Sequence, residues 1–534
     1  MMKKIFYLLL IFFFVFLLSG CKEDLPQPDT SNDTPIEEPK EPEGPIEELD
    51  EPKEPEVPIE EPDKPIEEPK EPEEPKEPEV PIEEPKEKDP SEMTDEEFEE
   101  YLQQLKDNEQ KLMEEIIATF NETIPSETAV DLRLPNRVGN NNIIIIWNSN
   151  NPTAITGTGV IVRKTYDQIV TLSATLRGSY ITMTYTKDVI INKIVLKSLD
   201  KDKLTFAYLY SDTFSSFLEG DFAKIDVINL CFAEITAGKI NVNTVKRINE
   251  IMVARSAGIR VVLSIGGWGT DGFSDAVLTS ASRKVFIDSI IDAIEQYEFD
   301  GIDLDWEYPA RGVAGIKYRP EDKTNFTLFC QELRAAFDAY NPELLLTAAV
   351  PGGLPHLYEV NKLNGCLNYL HLMSYDLSKQ GVTSHHTALH PSTNTYSSAS
   401  QAVEAYAKAG FDKSRMTIGC AFYGFKSTVV DPSATANGMN VAYTSPKGNI
   451  SYTYIVNNIL STGTFIEYYD EQAMAYWLYD GTTFISYENI KSINSKCDYA
   501  KKAGIAGVMF WDYNNDETGT LLNTIYNNFS RNGG

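Results

Sequence analysis

Cysteine and histidine are scarce: the 534 residues hold six of the first and five of the second. Cys231, Cys330, Cys366, Cys420 and Cys497 are scattered and odd in number. They fit buried free thiols better than a disulfide framework. His356, His371, His385, His386 and His390 form no HExxH or comparable pairing, so neither a catalytic metal nor another cofactor is expected. Basic clusters are missing too. The 47 Lys and Arg face 80 Asp and Glu, for a formal net charge of −33. That excludes nucleic acid as a partner, because phosphate binding needs clustered Lys and Arg. No apolar run is long enough to span a bilayer comfortably. The longest, Ile5 to Leu18, has fourteen residues, where about 20 are needed.

That run follows Lys3 and Lys4 and suits the hydrophobic core of a secretory signal. Leu18-Ser19-Gly20-Cys21 comes next and resembles the lipobox of bacterial lipoproteins. The resemblance implies cleavage after residue 20 and a lipid on Cys21, leaving the chain extracellular and anchored to the membrane. The alternatives are a short uncleaved anchor or an ordinary signal with a chance cysteine. Cys21 is the only cysteine among the first 230 residues, which favours the lipoprotein. Residues 21–92 read as a linker. Positions 22 to 90 carry 28 Asp and Glu against 8 Lys, and 18 of the 29 prolines. Pro-Ile-Glu-Glu-Pro-Lys-Glu-Pro-Glu stands at 35–43 and again at 65–73. Proline removes backbone donors and dense Glu repels itself, so the segment is expected to stay disordered and extended. A spacer is the simpler reading; a tail binding a basic partner is the other.

Residues 93–198 read as a helix followed by a small β domain. Thr94-Asp-Glu-Glu97 is a capping box, and Phe98, Leu102, Leu105, Leu112, Ile116 and Phe120 follow at helical spacing. Short β-type runs then come at 143–147, 159–163, 169–176, 180–186 and 189–195, a pattern that predicts an antiparallel sandwich. Ile145-Ile-Trp-Asn-Ser-Asn-Asn-Pro152 resembles atypical bacterial Ig-like domains. Trp147 is either core or a sugar-stacking residue, and its isoleucine neighbours favour core.

Residues 200–534 alternate buried strand-like runs with amphipathic helical stretches. The runs are 204–210, 225–233, 260–265, 301–305, 344–350, 367–374, 416–422 and 505–511. Eight such strands predict an α/β fold, a (β/α)8 TIM barrel. A doubly wound sheet is the alternative, but no Gly-rich phosphate loop follows the first strand. Catalytic groups of a barrel sit at the C-terminal strand ends. The fourth strand ends Asp300-Gly-Ile-Asp303-Leu-Asp305-Trp-Glu307. Strand alternation points Asp303, Asp305 and Glu307 the same way and turns Trp306 into packing. Clustered carboxylates raise one another's pKa, which keeps one protonated to serve as an acid. A Ca²⁺ site or a salt-bridged strand would be the bland alternatives. Calcium ligands come from loops with a turn glycine, and no basic residue lies among these acids.

This strand end matches the DxxDxDxE signature, and the chain is similar to glycoside hydrolase family 18, the chitinases. Ser264-Ile-Gly266-Gly267 resembles that family's SxGG motif, and Met373-Ser-Tyr375-Asp376 its MxYD motif. Phe422-Tyr423-Gly424 follows at the seventh strand, and Gly507-Val-Met-Phe-Trp511 resembles the strand bearing the tryptophan floor of the sugar pocket. The resemblance implies hydrolysis of β-linked N-acetylglucosamine polymers, chitin above all, by substrate-assisted catalysis with retention, an exception to the two-carboxylate scheme. It makes Glu307 the acid and later the base. Asp305 would hold the acetamido N–H, Asp303 would share a proton with Asp305, Tyr375 would position the acetamido oxygen, and Asp376 would contact the distorted sugar. Trp511, Trp268, Tyr423, Met373, Tyr208 and Phe232 would line the sugar groove, with Gly266 and Gly267 making space beneath the acids. A non-catalytic chitin-binding surface protein and an endo-β-N-acetylglucosaminidase of N-glycans or peptidoglycan remain as alternatives. Many family members have arginine after Phe-Tyr-Gly, where this chain has Phe425. Residues 426–487 hold the position of a small α+β insertion that walls the groove. The chain is expected to act as a monomer.

Overall fold

The computed structural model describes residues 89–138, 142–200 and 202–530. The expected signal peptide, Cys21 and nearly all of the acidic linker lie outside the described residues. The linker's last residues, Pro90–Glu92, form one 3₁₀ turn.

The helix Asp95–Thr123 starts on its reciprocal capping box: the Thr94 hydroxyl accepts from the Glu97 amide, and the Glu97 carboxylate accepts from the Thr94 amide. Met113, Ile116 and Phe120 form its buried stripe. They pack on one face of a sheet built from Glu127–Thr128, Ile144–Ser149, Gln168–Arg177 and Thr182–Ile191. Among the described residues this is a single four-stranded sheet, not the two stacked sheets of a sandwich, because the helix covers the apolar face that a second sheet would cover. The two runs expected at 180–186 and 189–195 are one strand. Asp188, in the gap between the two expected runs, points outward and accepts from the Thr171 hydroxyl at 2.6 Å. The run at 159–163 makes only an isolated bridge, Ile155 to Ile161. Trp147 is core: its ring lies 4.9 Å from Phe120, and its indole N–H donates to the Pro135 carbonyl.

The barrel strands are Leu204–Tyr210, Val227–Thr236, Arg260–Gly266, Gly301–Asp305, Leu345–Pro351, Tyr369–Met373, Met416–Ala421 and Gly507–Trp511. All pair in parallel, and the first strand pairs with both the second and the eighth, which closes the ring. The strands are nearly solid apolar runs because both of their faces are covered. Outward residues such as Ile302 and Leu304 meet the helices; inward ones such as Phe206, Val262 and Met509 fill the barrel. Between the seventh and eighth strands lies a five-stranded antiparallel sheet running from Tyr423–Val429 to Thr483–Tyr487. No helix among the described residues is long and apolar enough to cross a membrane.

Candidate active site

The barrel mouth opens into a cleft of about 920 Å³. Strand alternation delivers the acids to it. Ile302, Leu304 and Trp306 turn outward into the core, and Trp306 stacks on Phe273 with centroids 5.1 Å apart. Asp303, Asp305 and Glu307 take the other face. Asp303 is the deepest and lines no part of the cleft. It accepts hydroxyl hydrogen bonds from Thr347 at 2.6 Å, Ser264 at 2.8 Å and Tyr208 at 3.0 Å. Burial raises its pKa and these three donors pull it back. Asp305 is also buried, but its Oδ1 has no hydrogen-bond partner. Burial, then the charges of Glu307 and Asp303, push its pKa well above the carboxylate range.

Glu307 stands at the strand end, lining the cleft and partly buried. Burial raises its pKa from the usual 4.5 to about 7; a Tyr308 hydrogen bond opposes this, and the Asp376 charge adds to it. A carboxyl group so placed is half protonated near neutral pH, the condition a general acid needs.

Around it the cleft is aromatic. Trp511 stacks on Phe232, with centroids 5.5 Å apart and planes 20° off parallel, and Tyr208 and Tyr210 pack against its ring. Flat rings of this kind offer a low-entropy surface to the C–H faces of a sugar. Trp268 is 65% exposed at the rim and meets Tyr308 edge-on at 6.4 Å. Tyr375 and Met373 come from the end of the sixth strand; the Tyr375 hydroxyl points at the Met509 sulfur, 3.7 Å away. Tyr423 donates its hydroxyl to Asp376.

Gly266 and Gly267 do not line the cleft; their part is in the backbone. A Cβ on Gly266 would meet the Asp305 carbonyl at 2.0 Å, and one on Gly267 the Phe232 ring at 2.7 Å. Both have positive φ, which glycine alone adopts cheaply. They let the third strand press against the backbone that carries Asp305. Asp300, the first acid of the motif, is also remote from the chemistry: Arg255 holds it bidentately with both contacts at 2.9 Å.

Sequence reasoning missed Tyr308, Arg311, Tyr396 and Asn449, all of which line the cleft. Tyr308 was findable as the residue after the acid. Tyr396 sits in a loop with no periodic signal. Among the described residues, no group of three or more His, Cys, Asp or Glu side chains is arranged to hold a metal ion.

The profile of "Glycosyl hydrolases family 18" matches residues 205–516, and that of "Atrophied bacterial Ig domain" matches 115–194. Chitinase A1 of Niallia circulans is 30% identical over 319 residues, covering 54% of this chain and 44% of that protein. Chitotriosidase-1 of Mus musculus is 29% identical over 321 residues, covering 53% of this chain and 66% of that one. The chain thus spans less than half of the first relative and about two thirds of the second. Among solved structures, a family 18 N-acetylglucosaminidase from Paenibacillus barengoltzii is 31% identical with a TM-score of 0.59, covering 61% of this chain and 99% of that one. A cell-surface-expressed, multi-modular chitinase from a Paenibacillus strain is 29% identical with a TM-score of 0.57, covering 75% of this chain and 39% of that one.

Proposed function

The chain belongs to the glycosyl hydrolases of family 18, and from that premise we propose that it hydrolyses β-1,4-linked N-acetylglucosamine chains with retention, Glu307 serving as acid and then base. The observation that carries this reading is the pairing of a half-protonated Glu307 with a buried Asp305 at the floor of one aromatic cleft. Glu307 protonates the leaving oxygen. The substrate's own acetamido oxygen attacks C1 and forms an oxazolinium ion. Asp305 holds the acetamido N–H, and the deeper Asp303 shares a proton with it. Tyr375 positions the acetamido oxygen, and Asp376 contacts the distorted sugar. Trp511 is the floor beneath it, with Phe232, Tyr208, Tyr423, Met373 and Trp268 around it. Glu307, now a carboxylate, draws a proton from water as that water opens the oxazolinium from the face the leaving group left. The acid that donates a proton in the first step takes one back in the second.

The test is the full chain with a soluble N-acetylglucosamine hexamer, products and anomers followed by NMR. Fresh β-anomers of shorter oligomers are expected; an untouched hexamer would overturn the reading. Release of single sugars would favour exo action, a second reading that the 31% identity to an N-acetylglucosaminidase supports. The same reading takes Cys21 as a lipid anchor and the acidic repeat as the spacer between membrane and enzyme. Replacing Cys21 with Ser should then move the enzyme from the cell surface into the medium.

A further inference from the structure

Asp376 is held by its backbone more tightly than by its side chain. It adopts a φ of +60°, a left-handed conformation that Asp takes more readily than most residues. The next amide is pinned: Leu377 N–H donates to the His386 carbonyl at 2.9 Å. His386 is fixed in turn. Its own amide donates to the Ser486 hydroxyl at 3.0 Å. The adjacent Thr387 hydroxyl donates to the buried Glu488 carboxylate at 2.9 Å, and Lys496 donates to both at 2.7 Å. The carboxylate of Asp376, by contrast, is 56% exposed in the cleft, with the Tyr423 hydroxyl on its Oδ1.

The His386 ring lies beside that same oxygen. It is completely buried, its Nδ1 stands 3.8 Å from Asp376 Oδ1, and neither ring nitrogen has a hydrogen-bond partner. Tyr423 and Phe425 close around it with centroids at 5.3 and 4.8 Å. Burial keeps the imidazole neutral, against the pull of Asp376 and Glu488 and with the help of the Lys496 charge. A neutral imidazole carries one N–H to donate. A buried donor without a partner is costly and asks for a reason. The Phe425 ring packs on the imidazole and shields it from water.

We propose that His386 is a positioning residue for Asp376: when a sugar fills the cleft, its ring N–H closes onto Oδ1 and fixes, together with Tyr423, the rotamer in which Asp376 meets the substrate. Catalytic hydrogen bonds are often long in the empty site and shorten in the complex. His386 thereby supplies Asp376 with a second donor beside the Tyr423 hydroxyl. The inference rests on the proposed hydrolysis only for its readout.

The test is a double-mutant cycle on the full chain with the N-acetylglucosamine hexamer: wild type, His386→Leu, Asp376→Ala and the pair. His386→Leu is expected to lower kcat/KM about tenfold, through weaker hexamer binding as well as slower turnover, and to add nothing in the Asp376→Ala background. His386→Asn places an amide N–H near the Nδ1 position and should restore most of the loss, with an unchanged thermal midpoint. Equal losses in both Asp376 backgrounds, or no loss in His386→Leu, would overturn the proposal. A wild type that leaves the hexamer uncut defeats the hydrolysis reading instead. The same four proteins are then compared by hexamer affinity from tryptophan fluorescence, where the same non-additivity is expected and additivity overturns the inference.

Discussion

At the scale of single residues, Glu307, the proposed acid, carries a cost in stability. Its carboxyl is raised from 4.5 to about 7 in the folded protein. The folded state therefore keeps a proton that the unfolded chain releases as pH rises through 4.5. Between that value and about 7 the unfolded state binds fewer protons, so stability falls as pH rises. Glu307→Gln removes the titration. The variant should be more stable than wild type at pH 8 by on the order of 2 kcal/mol, and no more stable at pH 4. Melting at the two pH values checks this; an equal shift at both would show that the raised pKa is not the cause. Turnover should fall by about 10² to 10⁴, and wild-type activity should decline as pH climbs past about 7, where the acid loses its proton.

At the scale of elements, a parallel strand buried on both faces is an apolar run with few alternatives, so all eight barrel strands could be read from the sequence within a few residues. Their alternation placed Asp303, Asp305 and Glu307 on one face and Trp306 on the other. The half-exposed sheet before the barrel was less legible. There the polar Lys187-Asp188 pair reads as a break, yet the strand runs through it with Asp188 facing out. His386 was illegible for another reason: its place beside Asp376 depends on a loop and a buried ion pair distant in sequence. Gly266 shows how closely two strand ends are matched. Gly266→Ala sets a Cβ 2.0 Å from the Asp305 carbonyl, and backbone cannot swing aside as a flexible side chain would. We expect destabilisation of roughly 2–4 kcal/mol together with loss of turnover. Gly353→Ala, whose Cβ would find only the Ser397 hydroxyl at 3.8 Å, is the control in the same cleft. Comparable stability of the two variants would mean that the third and fourth strands part without cost.

At the scale of the molecule, the helix-covered sheet meets the barrel at the end opposite the cleft. The joining segment grips the N-terminal ends of the barrel strands. The Lys197 amide donates to the Gly258 carbonyl at 2.7 Å, and its ammonium donates to the carbonyls of Ile225, at 2.8 Å, and Phe222. Arg260, which opens the third strand, returns a hydrogen bond to the Lys197 carbonyl. Lys164 of the sheet module also pairs with Glu298, just before the fourth strand. These contacts place the module where it cannot touch a sugar in the cleft, so its removal should leave turnover of a soluble hexamer unchanged. The cut position should matter for stability instead. A barrel starting at residue 193 keeps the Lys197 clamp; one starting at residue 200 exposes the Gly258, Ile225 and Phe222 carbonyls and the Arg260 side chain. Several hydrogen bonds at about 1 kcal/mol each predict a clearly lower melting temperature for the shorter form, with equal kcat/KM below its transition. Equal melting temperatures would make the clamp a passive connection, and a drop in kcat/KM with both cuts would mean that the sheet module acts on the cleft through the barrel.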